Sequence, residues 1–318
     1  MAEDQAFFYE EKNSPPPKQP LEPGQQYKRG VAFRHENTFC AMDLNINQGI
    51  ILSGEADGTL RDWIGKNFGD TNPVESECPQ GIYYKRIWRP YWPGPIYRSV
   101  SQVRDGEKIT ESMVALRILF NKLEELFETI EPGQDNLLAY GHKTREVLLL
   151  ACMEVESSWT AVLKENGYPQ RPTWNTNDYV KLFRPMFLDG YKVSLRSYPH
   201  FPSFSPFEKW TVADPTHSLA WYDAYNKTKH NREDNLKLAT LENAVQAVGA
   251  AVVMFYAQFG IGFGTGFMDK ISPVIQSIFT ILPDFKKYEK MFYISPVKSQ
   301  AEGMPSLSFD WRAIDYKF

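Results

Sequence analysis

Between Ala244 and Met268 no residue carries a charge, and 25 such positions in a row have two physical homes, a bilayer of about 30 Å or a large apolar core. The run itself decides between them. Gln246 and Gln258 interrupt it, and Gly260, Gly262, Gly264 and Gly266 break its second half. The charged lead-in (Arg232, Glu233, Asp234, Lys237, Glu242) continues into it in helical phase, with no interfacial boundary between. We therefore expect a buried helix ending near Gln258 and no membrane partner. A chain of 318 residues can supply the surrounding core, since roughly 70–75% of its unfolded surface is buried on folding.

Charge and cysteine usage narrow the class further. With 35 basic and 39 acidic side chains the formal charge is -4, which argues against a wholly basic surface for duplex nucleic acid but leaves local patches open. A hydrophobic fraction of 42% excludes general disorder. The opening MAEDQAFFYEEK is acidic where a secretory signal needs a basic start and an apolar core. Cys40, Cys78 and Cys152 are odd in number and widely spaced, so neither a disulfide framework nor a cysteine zinc site is implied. A reducing, cytoplasmic setting is the expectation.

Along the chain, 1–26 reads as a flexible Pro-rich lead, because positions 14–24 hold five prolines. Residues 27–104 read as irregular structure with short strands, VAF, FCAM, GIILSG and TLRDWIG being separated by Asn, Asp and Gly. In 105–270 the pattern turns helical. Met113, Leu116, Leu119, Phe120, Leu123, Leu126, Phe127 and Ile130 recur three or four apart, which predicts a helix near 111–131 stopped by Pro132 and Gly133. A second helix is predicted over 142–166, ending at Gly167 and antiparallel to the first. Further helices are predicted at 175–183, from near Leu219, and from about Arg232 onward, with YKVSLRSY and 199–210 as an inserted hairpin or strap. Residues 271–318 read as mixed structure packing on the body.

Two segments carry candidate chemistry. The first, YYKRIWRPYWPGPIYR at 83–98, combines Arg86 and Arg89 with Trp88 and other aromatics, a mixture that stacks single-stranded bases while neutralising phosphate. It equally suits a proline-fixed strap that packs its rings on a helical body and sends its arginines to solvent. The second is WYDAYNKTKHNR at 221–232, where Asn226, Lys227, Lys229, His230 and Arg232 bring an amide, an imidazole and three cations within seven residues. Histidine passes protons near neutrality, and lysine and arginine hold phosphate, which is the minimum kit for RNA cleavage. On a continuing helix Asn226 and His230 share a face. The same residues equally suit a buried polar network that fixes helix packing.

With the helix pair at 111–131 and 142–166, the latter carrying Arg145, Glu154 and Glu156, the polar string at 225–232 makes the chain from about 112 to 260 resemble the HEPN superfamily of RNA-associated helical bundles. The resemblance implies a mainly α fold, an antiparallel HEPN-like bundle with a small irregular/β N-terminal region and an inserted hairpin. It also implies a homodimer in a bacterial defence or toxin type of module that binds or cleaves RNA without metal. In that reading His230 is the acid–base group, Lys229 and Arg232 hold phosphate, and Asn226 positions. Active members of that superfamily carry an arginine, then four to six intervening residues, then the histidine; here the arginine's positions hold Tyr225, Ala224 and Asp223. The alternative is a non-enzymatic scaffold or subunit that binds a protein partner.

Other motifs fail on spacing, and no cofactor or metal is expected. Asp43, Asn45 and Asn47 imitate a calcium loop, but Gln48 stands where its glycine belongs and Gly54 where its glutamate belongs. The glycines at 260–266 miss a dinucleotide loop because the closing three-residue step lands on Thr265 or Phe267. His35, His142, His200, His217 and His230 are scattered too widely to suggest a metal site.

Overall fold

The computed structural model describes residues 5–13, 28–43, 51–92, 106–260, 273–299, 305–308 and 310–318. The prolines of 14–24, most of the calcium-loop imitation, the strap beyond Trp92 and Gly262, Gly264 and Gly266 lie outside the described residues. The chain divides into two units, 1–83 with 89–98 and 286–314, and 84–88 with 99–285 and 315–318. That division is not the linear one expected from composition, because late strands belong with early ones.

The first unit overturns the mainly α expectation: the fold is mixed α/β. Strands β1 (Ala6–Glu11), β2 (Lys28–His35), β3 (Thr38–Asp43), β4 (Ile51–Glu55) and β5 (Val74–Glu75) form one antiparallel sheet in the order β4-β3-β2-β1-β5. The helix α1 (Leu60–Phe68) covers one face of it, where Phe7, Tyr9, Ala32, Phe39 and Ala41 meet Leu60, Ile64 and Phe68. On the other face Ala6, Phe8, Val31, Phe33, Cys40 and Met42 pack with Ile294. Because both faces are buried, β1 has no polar alternation to announce it, and AFFYEE reads as part of a flexible lead. Gly30 faces Tyr9 across the β1–β2 pair, and a Cβ there would fall 2.2 Å from the Tyr9 ring. The remaining strands of this unit are short: β6 (Ile82–Tyr84), β7 (Tyr91–Trp92), β10 (Tyr293–Ile294), β11 (Val297–Ser299), β12 (Pro305–Leu307) and β13 (Arg312–Ile314), paired β10 with β7, β11 with β12 and β13 with β6.

Asp70 fastens the end of this sheet. It is 4% exposed, and its carboxylate accepts from the Glu10 N–H at 3.0 Å, the Lys12 ammonium at 2.9 Å and the Asn72 N–H at 3.1 Å. Burial alone would raise its pKa; the Glu10 N–H, Lys12 and the Asn72 N–H outweigh burial and hold it below the usual carboxylate range. The sign follows from the depressed folded value: the stabilisation is present above the unfolded pKa of about 3.9 and is lost as pH falls through the folded one. Asp70→Ala should therefore cost about 1–3 kcal/mol by urea unfolding at pH 7, with the gap to wild type closing below about pH 4. An equal gap at pH 7 and pH 3 would show that the charge contributes nothing.

The second unit contains α2 (Gly106–Phe127), α3 (His142–Glu165), α4 (Thr176–Tyr179), α5 (Ala220–His230), α6 (Arg232–Asn235) and α7 (Leu241–Phe259). Apolar on every side, α7 packs along α3 and against α2 and α5, and its residues from Ala247 to Phe259 are all buried. It ends one residue past Gln258, and no described helix is long and apolar enough to cross a membrane. The single long helix expected from Arg232 is instead three pieces, since a 3-10 turn (Leu236–Leu238) follows α6 and the Thr240 hydroxyl caps α7 by accepting the Asn243 N–H. Gly249 of α7 lies under Phe204, where a Cβ would come within 2.7 Å of the ring.

The inserted hairpin does not form either. β8 (Tyr191–Leu195) pairs antiparallel with β9 (Phe279–Pro283), and the 199–210 segment meets β8 only through a bridge between Val193 and Phe204. Instead, 199–210 delivers aromatics to the core. Trp159 of α3 stacks on Trp210 at 5.0 Å between ring centres, with Tyr179, Phe207, Trp221 and Tyr222 around it. The Trp210 and Trp221 indoles donate to the Pro215 and Pro206 carbonyls, so these polar edges are satisfied inside the core.

Candidate functional site at the α5–α6 corner

Helix α5 forms because its apolar residues share one side: Trp221, Tyr222, Ala224, Tyr225 and Thr228 are buried. Lys227, Lys229 and His230 are exposed and Asn226 is half-buried. The chain then turns at Asn231, whose side chain accepts the Asp234 N–H and donates to the Asp234 carboxylate at 2.6 Å, starting α6 with Arg232 exposed. Asn226 and His230 stand one turn apart, as their spacing predicts. Three of the cationic or titratable side chains fall in the last turn of α5, where the negative end of the helix dipole favours positive charge.

The charged residues of this corner divide into anchored and open. Lys227 is bound to Asp223 at 2.6 Å. Lys229 donates to the Tyr225 hydroxyl at 2.9 Å, with its ammonium 4.9 Å from the centre of that ring. Tyr225 and Tyr222 in turn donate to the two oxygens of Glu156 on α3, at 3.2 and 2.5 Å. Burial first, and then the Glu156 carboxylate, push both phenols well above the ordinary tyrosine value, so both remain protonated donors. Cys152 is also driven up, by burial and then by Glu156, and is an inert thiol. The His230 and Arg232 side chains have no hydrogen-bond or ion-pair partner among the described residues.

Sequence reasoning missed the contribution of α3. Arg145 sets its Nε and Nη2 on the Thr228 carbonyl at 3.2 and 3.1 Å, placing a guanidinium on an unpaired carbonyl of the last turn of α5. Arg145 thus reaches the end of α5 from 83 residues earlier in the chain. Nothing in the local spacing signals this. Glu154 and Glu156 point apart, as two positions on a helix must. Glu154 is half-buried with its pKa raised by burial, against an opposing pull from Arg86.

In the described part of the aromatic strap, by contrast, Trp88 and Arg89 do not form an open stacking platform. Trp88 is 3% exposed and Arg89 1% exposed. In the first unit Arg89 donates to the Cys78 sulfur at 3.0 Å and to the Met291 carbonyl at 3.2 Å, and its guanidinium lies 5.6 Å from the Tyr293 ring centre. In the second unit the Trp88 N–H donates to the Ala257 carbonyl and its ring meets Phe285. Arg86 is half-buried at φ 53°, with its guanidinium over Phe259 and near Glu165. Tryptophan and arginine look alike in composition whether they face a ligand or a core; here proline and burial direct Trp88 and Arg89 inward, which removes them as base-stacking or phosphate-binding groups.

Comparison with family models, with curated proteins and with solved structures finds no match for this chain.

Proposed function

We propose that the α5–α6 corner contacts RNA and cleaves it without metal, with His230 as the acid–base group, Lys229 and Arg232 on the phosphate, and Asn226 orienting the strand. The observation that carries this reading is the exposed imidazole of His230 at the end of α5, next in sequence to a lysine whose ammonium is fixed on Tyr225 and two residues before an exposed arginine with no internal partner among the described residues. A group held ready rather than searching loses less entropy when it meets phosphate. In the reaction the 2′-oxygen bonds to the adjacent phosphorus as the bond to the 5′-oxygen breaks. His230 takes the 2′-hydroxyl proton as that oxygen attacks, water gives a proton to the departing 5′-oxygen, and Lys229 and Arg232 offset the charge that builds on the phosphoryl oxygens. The HEPN resemblance points the same way and adds a homodimer that pairs two corners. Buried free thiols at Cys40, Cys78 and Cys152 suit a reducing cytoplasm.

Binding to a fluorescent single-stranded RNA, measured by anisotropy over a salt series, tests the phosphate contacts. Lys229→Ala and Arg232→Ala should each weaken binding at every sequence and lower the log–log salt slope by about 0.7. Affinity and slope unchanged in both variants would remove the corner from RNA contact.

A second reading, a scaffold or protein-binding subunit, is favoured by the Glu156–Tyr222–Tyr225–Lys229 network, which ties α3 to α5. Under it, Lys229→Ala lowers stability and leaves RNA untouched, so the same variant separates the two.

A further inference from the structure

The first unit holds a cavity of about 490 Å3, within the size range of small-molecule sites. It lies along the edge of β1 where β5 has ended: β5 pairs only with Phe7 and Phe8, and next in line the Asp70 carboxylate takes the Glu10 N–H. A 3-10 turn (Lys286–Met291) closes the other side, joined to β2 by the ion pair between Arg29 and Glu289 at 2.7 Å.

Its lining is unbalanced in charge. Lys12, Arg29, Lys286, Lys287 and Lys290 contribute five cations against the carboxylates of Glu10, Asp70 and Glu289, an excess of two positive charges. Asp70 is committed to Lys12 at 2.9 Å and Glu289 to Arg29. The chain has a net charge of -4, so this local excess runs against the average of the molecule. Between the charges, Phe8, Tyr9 and the exposed Val74 give the wall an apolar strip.

We infer that this cavity binds a small phosphorylated molecule, its phosphate monoester on the lysines of the 286–290 turn and its apolar body against Val74 and the β1 edge. A dianion matches the two excess charges. Lysine ammoniums suit phosphate as compact point charges. The inference is independent of the RNA reading, which concerns residues of the other unit.

Isothermal titration of the full chain at low ionic strength with phenyl phosphate, inorganic phosphate and phenol tests it. Phenyl phosphate should bind at least about tenfold more tightly than inorganic phosphate, and phenol should give no heat. The double variant Lys287→Glu/Lys290→Glu changes two exposed side chains and should fold as wild type, yet lose about tenfold or more in phenyl phosphate affinity through lost charge-assisted contacts. Lys164→Glu, in the other unit, should leave it unchanged. Absence of binding, affinity retained in the double variant, or equal affinity for phosphate and phenyl phosphate would each overturn the assignment, the last by showing an unspecific anion site.

Discussion

Trp159→Ala should destabilise the protein by about 3–5 kcal/mol and lower its melting temperature by roughly 6–20 °C. Trp159 is fully buried and has rings of Trp210, Tyr179, Tyr222, Phe207 and Trp221 around it. Truncation leaves a cavity whose walls are themselves large and held, since Trp210 and Trp221 are fixed by bonds to Pro215 and Pro206. Such a site cannot collapse, so the cost lies at the upper end for a core aromatic. Trp174→Ala, at a half-buried ring in the same unit, is the control and should shift melting far less. A melting temperature for Trp159→Ala within 2 °C of wild type would mean that the aromatic cluster is not the keystone of its unit.

His230→Ala should lower RNA cleavage by about 100-fold or more, equivalent to about 2.7 kcal/mol of transition-state stabilisation, while leaving circular dichroism and melting unchanged. The separation of the two readouts is what gives the experiment its force. His230 is exposed, at a helix end, and no packing depends on it; substitutions of that kind stay within about 0.5 kcal/mol of wild-type stability. Chelator in the buffer should not affect the rate, and RNA with 2′-deoxy substitution should resist cleavage because the attacking oxygen is gone. RNA left intact by the wild-type chain, or cut equally by the variant, sinks the catalytic role and leaves the scaffold reading in possession of the corner.

Much of the helical unit was legible in the sequence. The apolar steps that predicted helices at 111–131 and 142–166 correspond to α2 and α3, and the uncharged run corresponds to α7, because a helix that must bury one stripe or its whole surface writes that demand into local spacing. Asn226 and His230 on one face of α5 follow from the same 3.6-residue period. Caps were legible only afterwards: a 3-10 turn and the Thr240 cap divide what composition presents as one continuous helix from Arg232.

What tertiary structure alone decided is everything that joins distant stretches. Ala6–Glu11 became an inner strand only because β2 and β5 stood on either side of it, and β8 found its partner in β9 rather than in its own neighbourhood. Arg145 reached the end of α5, and Glu156 fixed Tyr225 and through it Lys229, across separations that no window of local sequence covers. Helical periodicity is a local constraint and survives in any fragment; strand pairing and ion placement are set by the surface each segment meets, which exists only once the chain has folded.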